Sequence, residues 1–164
     1  MIFVTVGTHE QQFDRLIKKI DCLKRDEKIK DIVVIQKGYS QYTPKYCEYQ
    51  DFFDHDSIVN YVKKARIIIT HGGPSSFISV LQQNKVPIVV PRMKKYEEHI
   101  NNHQMDFVKK VEKRKKNIIV VTDINQLGTT IDNYAAIVSK LDNRLNSNNL
   151  RFNKKLQNIV NEIL

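Results

Sequence analysis

Arg66-Ile-Ile-Ile-Thr-His-Gly-Gly-Pro-Ser-Ser-Phe77 runs from a β-branched apolar stretch through a glycine pair into a Pro-Ser-Ser opening. Glycines let a backbone turn tightly and come close to a ligand. Proline suits the first turn of a helix, where its missing N–H costs nothing. The amides that follow, with the positive end of the helix dipole, form a natural seat for phosphate oxygens. The segment reads as strand, turn and helix start, the local form of a nucleotide-diphosphate site. A tight strand-to-helix turn in any α/β protein would look similar.

Outward from this segment, apolar β-rich runs recur at Ile2–Val6, Ile32–Gln36, Pro87–Val90 and Ile118–Val121, with a weaker one at Tyr46–Tyr49. Helical stripes fall between most of them: Phe13, Leu16, Ile17, Ile20 and Leu23, then the shorter Ile58, Val62 and Ala65. Leu127, Ile131, Tyr134, Ala135, Val138 and Leu141 form a further stripe, and Phe152, Leu156, Ile159, Val160 and Ile163 the last. Strands alternating with helices predict right-handed βαβ units and an α/β fold, a single Rossmann-like, doubly wound parallel sheet of six strands. Such sheets bind ligands beyond the carboxyl ends of the strands, where strand order reverses. The expected organisation is one domain over residues 1–164, with 146–164 a C-terminal helix after the polar hinge Asn143–Asn149.

A chain of 164 residues, 41% hydrophobic and 27% charged, suits one globular domain with a real core. No apolar run approaches the roughly 20 residues that a membrane-spanning helix needs. Met1–Val6 lacks the basic lead and long apolar region of a signal peptide and reads as a first strand. Cys22 and Cys47 have no metal-like spacing, so a reduced, cytosolic setting is the default. The net charge of +9 concentrates at Lys109, Lys110, Lys113, Arg114, Lys115 and Lys116. Three readings fit this run: a solvated helix C-terminus, attraction to an anionic leaflet, and nucleic acid. No recognition helix, zinc pattern or basic strand with interleaved aromatics supports the third.

Three polar clusters follow three strands. Gly7, Thr8 and His9 close the first and should share a rim with His71, Gly72, Gly73, Ser75 and Ser76, although Thr8 could simply cap the next helix. The third cluster is Pro91 to Gln104, including Arg92, Glu98, His99, Asn101, His103 and Gln104. Helical spacing from Ile100 through Phe107, Val108 and Val111 puts His103 and Gln104 on an inward arc, where polar groups need partners. Those partners are ligand oxygens in the cleft or neighbouring loop carbonyls. Asp54-His55-Asp56 admits a divalent ion but is better read as the capped start of a helix. The turn after the first strand has one glycine where a dinucleotide fingerprint wants three, which disfavours a nicotinamide-type cofactor.

With these clusters in view, the chain resembles the C-terminal, donor-binding half of GT-B glycosyltransferases of the MurG and Alg13 group. It is more closely similar to the small PssE-like and CpsG-like subunits of two-part capsular and exopolysaccharide transferases. The carrying motifs are Val4-Thr-Val-Gly-Thr-His9, Ile69-Thr-His-Gly-Gly-Pro74 with Ser75-Ser-Phe77, Pro87-Ile-Val-Val-Pro-Arg92 and Glu98-His-Ile-Asn-Asn-His-Gln104. They cover residues 1 to about 111.

The resemblance implies that Gly72-Gly73 and Ser75-Ser76 hold the diphosphate of a UDP-sugar, without metal or cofactor. His103 and Gln104 would reach the donor sugar or phosphates, and Arg92, Glu98, His99 and Asn101 fall in the donor segment. Ser79 stands where relatives carry a ribose-binding Glu, and Asn102 where close relatives often have Asp. The implied reaction moves a hexose (galactose, glucose or glucuronic acid) to a lipid-linked sugar acceptor during polysaccharide assembly. A complete GT-B enzyme needs two such domains, so the acceptor half is expected from a membrane-anchored Alg14-like partner. That partner would hold this chain at the inner face of the plasma membrane; the last helix either docks on it or, the more ordinary reading, packs its apolar stripe on this domain's own sheet. His9, an imidazole on the rim, is a candidate general base; the partner could supply the base instead. A rival reading is a non-catalytic accessory subunit that enhances a separate transferase.

Overall fold

The structure is a computed structural model that describes residues 1–141. The expected C-terminal helix over 146–164 and its polar hinge lie outside the described residues. Six strands, β1 (Ile2–Thr5), β2 (Val33–Gln36), β3 (Glu48–Gln50), β4 (Ile67–His71), β5 (Ile88–Val90) and β6 (Ile119–Val120), form one sheet in the order β3-β2-β1-β4-β5-β6. Every neighbouring pair is parallel. The expected doubly wound sheet is therefore the one observed.

Alternation along the strands builds a core on each face. Ile2, Val4, Ile67 and Ile69 turn to one side and pack with Leu16, Ile17 and Ile20 of α1 (Asp14–Arg25). Leu127 and Ile131 of α5 (Leu127–Asp132) and Tyr134 of α6 (Tyr134–Lys140) join that cluster. Phe3, Val34 and Ile68 turn to the other side, against Val62 of α2 (His55–Lys64) and Val80 of α3 (Pro74–Gln82). Phe77, Val89 and Ile118 complete that face with Val108 of α4 (His103–Lys115).

Two expectations change. The stripe from Leu127 to Leu141 is two helices rather than one, broken at Asn133. The Asn133 side chain donates to the Thr129 carbonyl at 2.9 Å, and Gly128, Thr129 and Thr130 are weak helix formers. Ile100 lies outside α4 and is 71% exposed, because residues 94–96 form a 3-10 turn and Glu97 adopts a left-handed conformation. Helical spacing counted from Ile100 therefore runs through backbone that is not helical. The inward face of α4 carries Gln104 and Val108, while His103 points to solvent and Phe107 is 38% exposed.

Candidate functional site

β1 and β4 are adjacent, with Thr5 level with Thr70, so the segments leaving them start side by side where strand order reverses. A cleft of about 780 Å³ opens there, lined by Gly7, Thr8, His9, His71, Ser75 and Ser76. It continues between α2 and α3 along Ile58, Val59, Val62 and Val80, with His55, Ser79 and Gln83 at its polar edge. This extension was not singled out from the sequence. Its residues come from two helices, and each stripe alone reads as ordinary packing.

Gly73 is the N-cap residue of α3, Pro74 occupies the first turn, and no side chain caps this end. The Ser76 amide bonds back to the Gly73 carbonyl at 3.2 Å, while the Ser75 amide has no partner among the described residues, so this end can receive an acceptor oxygen. The His71 ring lies against the turn. Its Nδ1 accepts the Gly73 amide at 3.0 Å, and Nε2 is 2.8 Å from Ser76 Oγ. With Nδ1 accepting, the neutral ring carries its proton on Nε2 and donates to Ser76. The Ser76 hydroxyl proton is then left for a ligand. Burial, reinforced by the Arg92 charge, lowers the His71 pKa to about 4, so the ring is neutral at physiological pH.

Gly7 has φ +74°, a conformation glycine adopts without strain. Instead of entering a helix at once, residues 8–12 form a loop, and α1 starts at Asp14. Thr8 therefore does not cap that helix. The loop is pinned from below by Arg92, whose guanidinium donates to the carbonyls of Val6 (2.9 Å), Gln11 (2.8 Å) and Gln12 (2.9 Å). Arg92 is wholly buried, and desolvation, opposed by the Glu98 charge, brings its pKa down to about 10. Glu98, also wholly buried, accepts from Arg15 at 2.8 and 2.9 Å and from the Met93 amide at 3.0 Å. Both residues thus lie under the rim and are occupied with the loops, a placement the linear motif does not reveal.

Gln104 is buried, and its Oε1 accepts the amides of Gly72 (3.1 Å) and Arg92 (3.2 Å). His9, His99 and His103 form a ladder along the rim, with ring centroids 4.9 Å apart for the first pair and 4.6 Å for the second. His99 is buried at 8% exposure, and desolvation, helped by His103, His9 and Arg92, lowers its pKa. Asn101 orients this ladder, its amide reaching His99 Nδ1 and its Oδ1 accepting from His103 Nδ1. His9 Nδ1 accepts the Gln11 amide at 3.2 Å, so the neutral ring presents Nε2–H rather than a lone pair.

Asp54 is the N-cap of α2, accepting from the Ser57 amide and hydroxyl at 2.8 Å each. Capping accounts for this acid without a metal ion. Among the described residues, no group of three or more His, Cys, Asp or Glu is placed to hold a metal, and no helix is long and apolar enough to cross a membrane.

Comparison with known proteins agrees with this architecture. The family profile of the Glycosyltransferase family 28 C-terminal domain matches residues 1–163. The UDP-N-acetylglucosamine transferase subunit ALG13 of Homo sapiens is 30% identical over 121 residues, covering 68% of this chain and 10% of that protein. The ALG13 subunit of Mus musculus is 31% identical over 120 residues, with the same coverage. The chain thus matches only a tenth of the length of these curated relatives.

Proposed function

The chain belongs to the glycosyltransferase family 28 C-terminal domains, and from that premise we propose that it is the donor-binding, catalytic subunit of a UDP-sugar-dependent hexosyltransferase. One observation carries the reading: an uncapped helix N-terminus opens into a cleft of about 780 Å³ at the point where strand order reverses. The diphosphate is assigned to the Gly72-Gly73 turn, the Ser75 amide and the Ser76 hydroxyl. The nucleoside extends between α2 and α3, where Ser79 and Gln83 replace a carboxylate as candidates for the ribose hydroxyls. Gly7 and Thr8 form the opposite lip. Gln104, His99, Asn101 and His103 face the sugar side, and Arg92 and Glu98 hold that wall in place.

Chemically, the departing diphosphate needs stabilisation as the bond to the anomeric carbon breaks, and preorganised amides and hydroxyls supply it. The acceptor hydroxyl needs a base. His9 Nε2–H is a donor in the tautomer that the Gln11 amide bond selects, which suits a phosphate oxygen. The base is therefore assigned to the partner, the alternative that the sequence left open.

The described residues supply one Rossmann-like unit, and the acceptor-binding half is proposed to come from a membrane-anchored Alg14-like subunit that presents a lipid-linked sugar. Placement at the inner face of the plasma membrane and a role in capsular or exopolysaccharide assembly belong to the same proposal. The relatives' names specify UDP-N-acetylglucosamine as their donor, whereas the resemblance to capsular subunits points to galactose, glucose or glucuronic acid.

Titration calorimetry with UDP and a panel of UDP-sugars tests the site. The expected result is UDP binding that is lost in Gly73→Val and weakened in Ser76→Ala. Absence of UDP binding, both alone and with the partner, would refute the donor site and leave an accessory subunit.

A further inference from the structure

The solvent face of α4 carries a dense run of basic residues beside the single exposed acid Asp106 of its first turn. His103, Phe107, Lys110 and Arg114 follow one another at helical spacing along one stripe, all exposed, while Gln104 and Val108 face the core. Lys109, Lys113, Lys115 and Lys116 flank this stripe and are exposed too. Among the described residues, no carboxylate forms an ion pair with any of these six cations. At the rim end, the loop before α4 exposes Lys94, Lys95, Tyr96 (42%) and Ile100 (71%).

Dipole compensation explains cations in the last turn of a helix only. Lys109 and Lys110 stand earlier, and dipole compensation gives no reason for Ile100 to project into solvent. We propose that this face of α4, together with the Ile100 loop, binds directly to an anionic lipid surface. Five of the six cations are lysines, a residue depleted from protein interfaces but well suited to the diffuse potential of anionic headgroups. Apolar side chains beside a basic helix face are the pattern of an interfacial contact, in which the apolar groups enter the acyl boundary. Ile100 adjoins His99, and His103 opens the stripe, so docking on this face sets the sugar side of the crevice at headgroup level. A lipid-linked acceptor would arrive at that level. The inference rests on the α4 surface and stands apart from the donor-site reading, which UDP binding tests separately.

Flotation of the full chain with phosphatidylcholine vesicles, with and without a minor fraction of phosphatidylglycerol, is the experiment. Binding is expected only with phosphatidylglycerol, weakening as salt rises. Lys110→Gln/Lys113→Gln/Arg114→Gln should lower partitioning about 100-fold, at about fivefold per cation. Ile100→Ser should lower it severalfold and leave the salt dependence intact. All four positions are exposed, and unchanged thermal unfolding verifies folding; Lys109→Gln/Lys110→Gln replaces any variant that fails that check. Wild-type partitioning of the charge-neutralised variant would overturn the proposal. So would a lack of vesicle binding, or a preference for single-stranded RNA over phosphatidylglycerol vesicles.

Discussion

Oε1 of Gln104 accepts the Gly72 amide at 3.1 Å across 32 positions of sequence, and the same atom takes the Arg92 amide at 3.2 Å. One side-chain oxygen therefore joins the turn after β4, the turn after β5 and the start of α4. Gln104→Ala leaves two buried donors unpaired, at about 1–3 kcal/mol each. A stability loss of about 2–4 kcal/mol in urea titration is expected, with weakened UDP binding. Gln104→Glu keeps an acceptor and should recover part of the stability.

His71 fills the space on both sides of the crevice that side chains at Gly7 and Gly73 would need. A Cβ at Gly73 would lie 2.2 Å from the imidazole Cε1, and one at Gly7 would lie 2.4 Å from Nε2. Both Gly→Ala variants should lose stability and UDP affinity. Adding His71→Ala should relieve Gly73→Ala, since the three atoms nearest that Cβ all belong to the ring. It should relieve Gly7→Ala less, because φ +74° remains strained for alanine. A double-mutant cycle in urea measures the difference.

The depressed pKa of His71 makes stability depend on pH. Folded, the ring titrates at about 4, against an ordinary 6.5. The unfolded chain therefore takes up a proton first as pH falls. This contribution to stability is complete above about 6.5, shrinks as pH drops toward 4 and is gone below it, up to about 3 kcal/mol in all. Urea midpoints at neutral and mildly acid pH should diverge for wild type and converge for His71→Asn.

Glu98 meets Arg15 through two bonds and is wholly buried, while the Arg15 side chain is 13% exposed. Removing one partner of such a pair leaves the other charge uncompensated. Glu98→Ala should cost about 3 kcal/mol in denaturant titration. The wild-type fold should be retained in the absence of denaturant, with the His99 loop exchanging its amides faster.

His9 separates two roles by the substitution that each tolerates. If it donates through Nε2, His9→Gln keeps a donor and should retain most of the turnover of the reconstituted pair, whereas His9→Ala loses it. A base role would instead give both variants the same loss, about 100-fold or more.

Much of the architecture was legible because the signals are local. Ile67–His71 is β-branched and apolar, Gly72-Gly73-Pro74 can only turn and restart as a helix, and the strands recur with helical stripes between them. Even the weak Tyr46–Tyr49 run proved to be an edge strand, shifted to Glu48–Gln50. Misreadings came where spacing was carried across irregular backbone. The 3-10 turn and left-handed Glu97 put Ile100 outside the helix, and neighbouring positions on α4 separated exposed His103 from buried Gln104.

Taken alone, the residue order determined the parallel α/β sheet, the glycine turn that opens α3 and the three polar clusters that follow strand ends, since each depends on contacts between near neighbours or on period. Only tertiary structure decided that Arg92 and Glu98 brace the rim from beneath, that two glycines accommodate one imidazole, and that α2 and α3 enclose the rest of the cleft. Arg92 reaches Val6 across 86 positions and Arg15 reaches Glu98 across 83, and such pairing is settled by packing and desolvation in three dimensions, which no local pattern encodes.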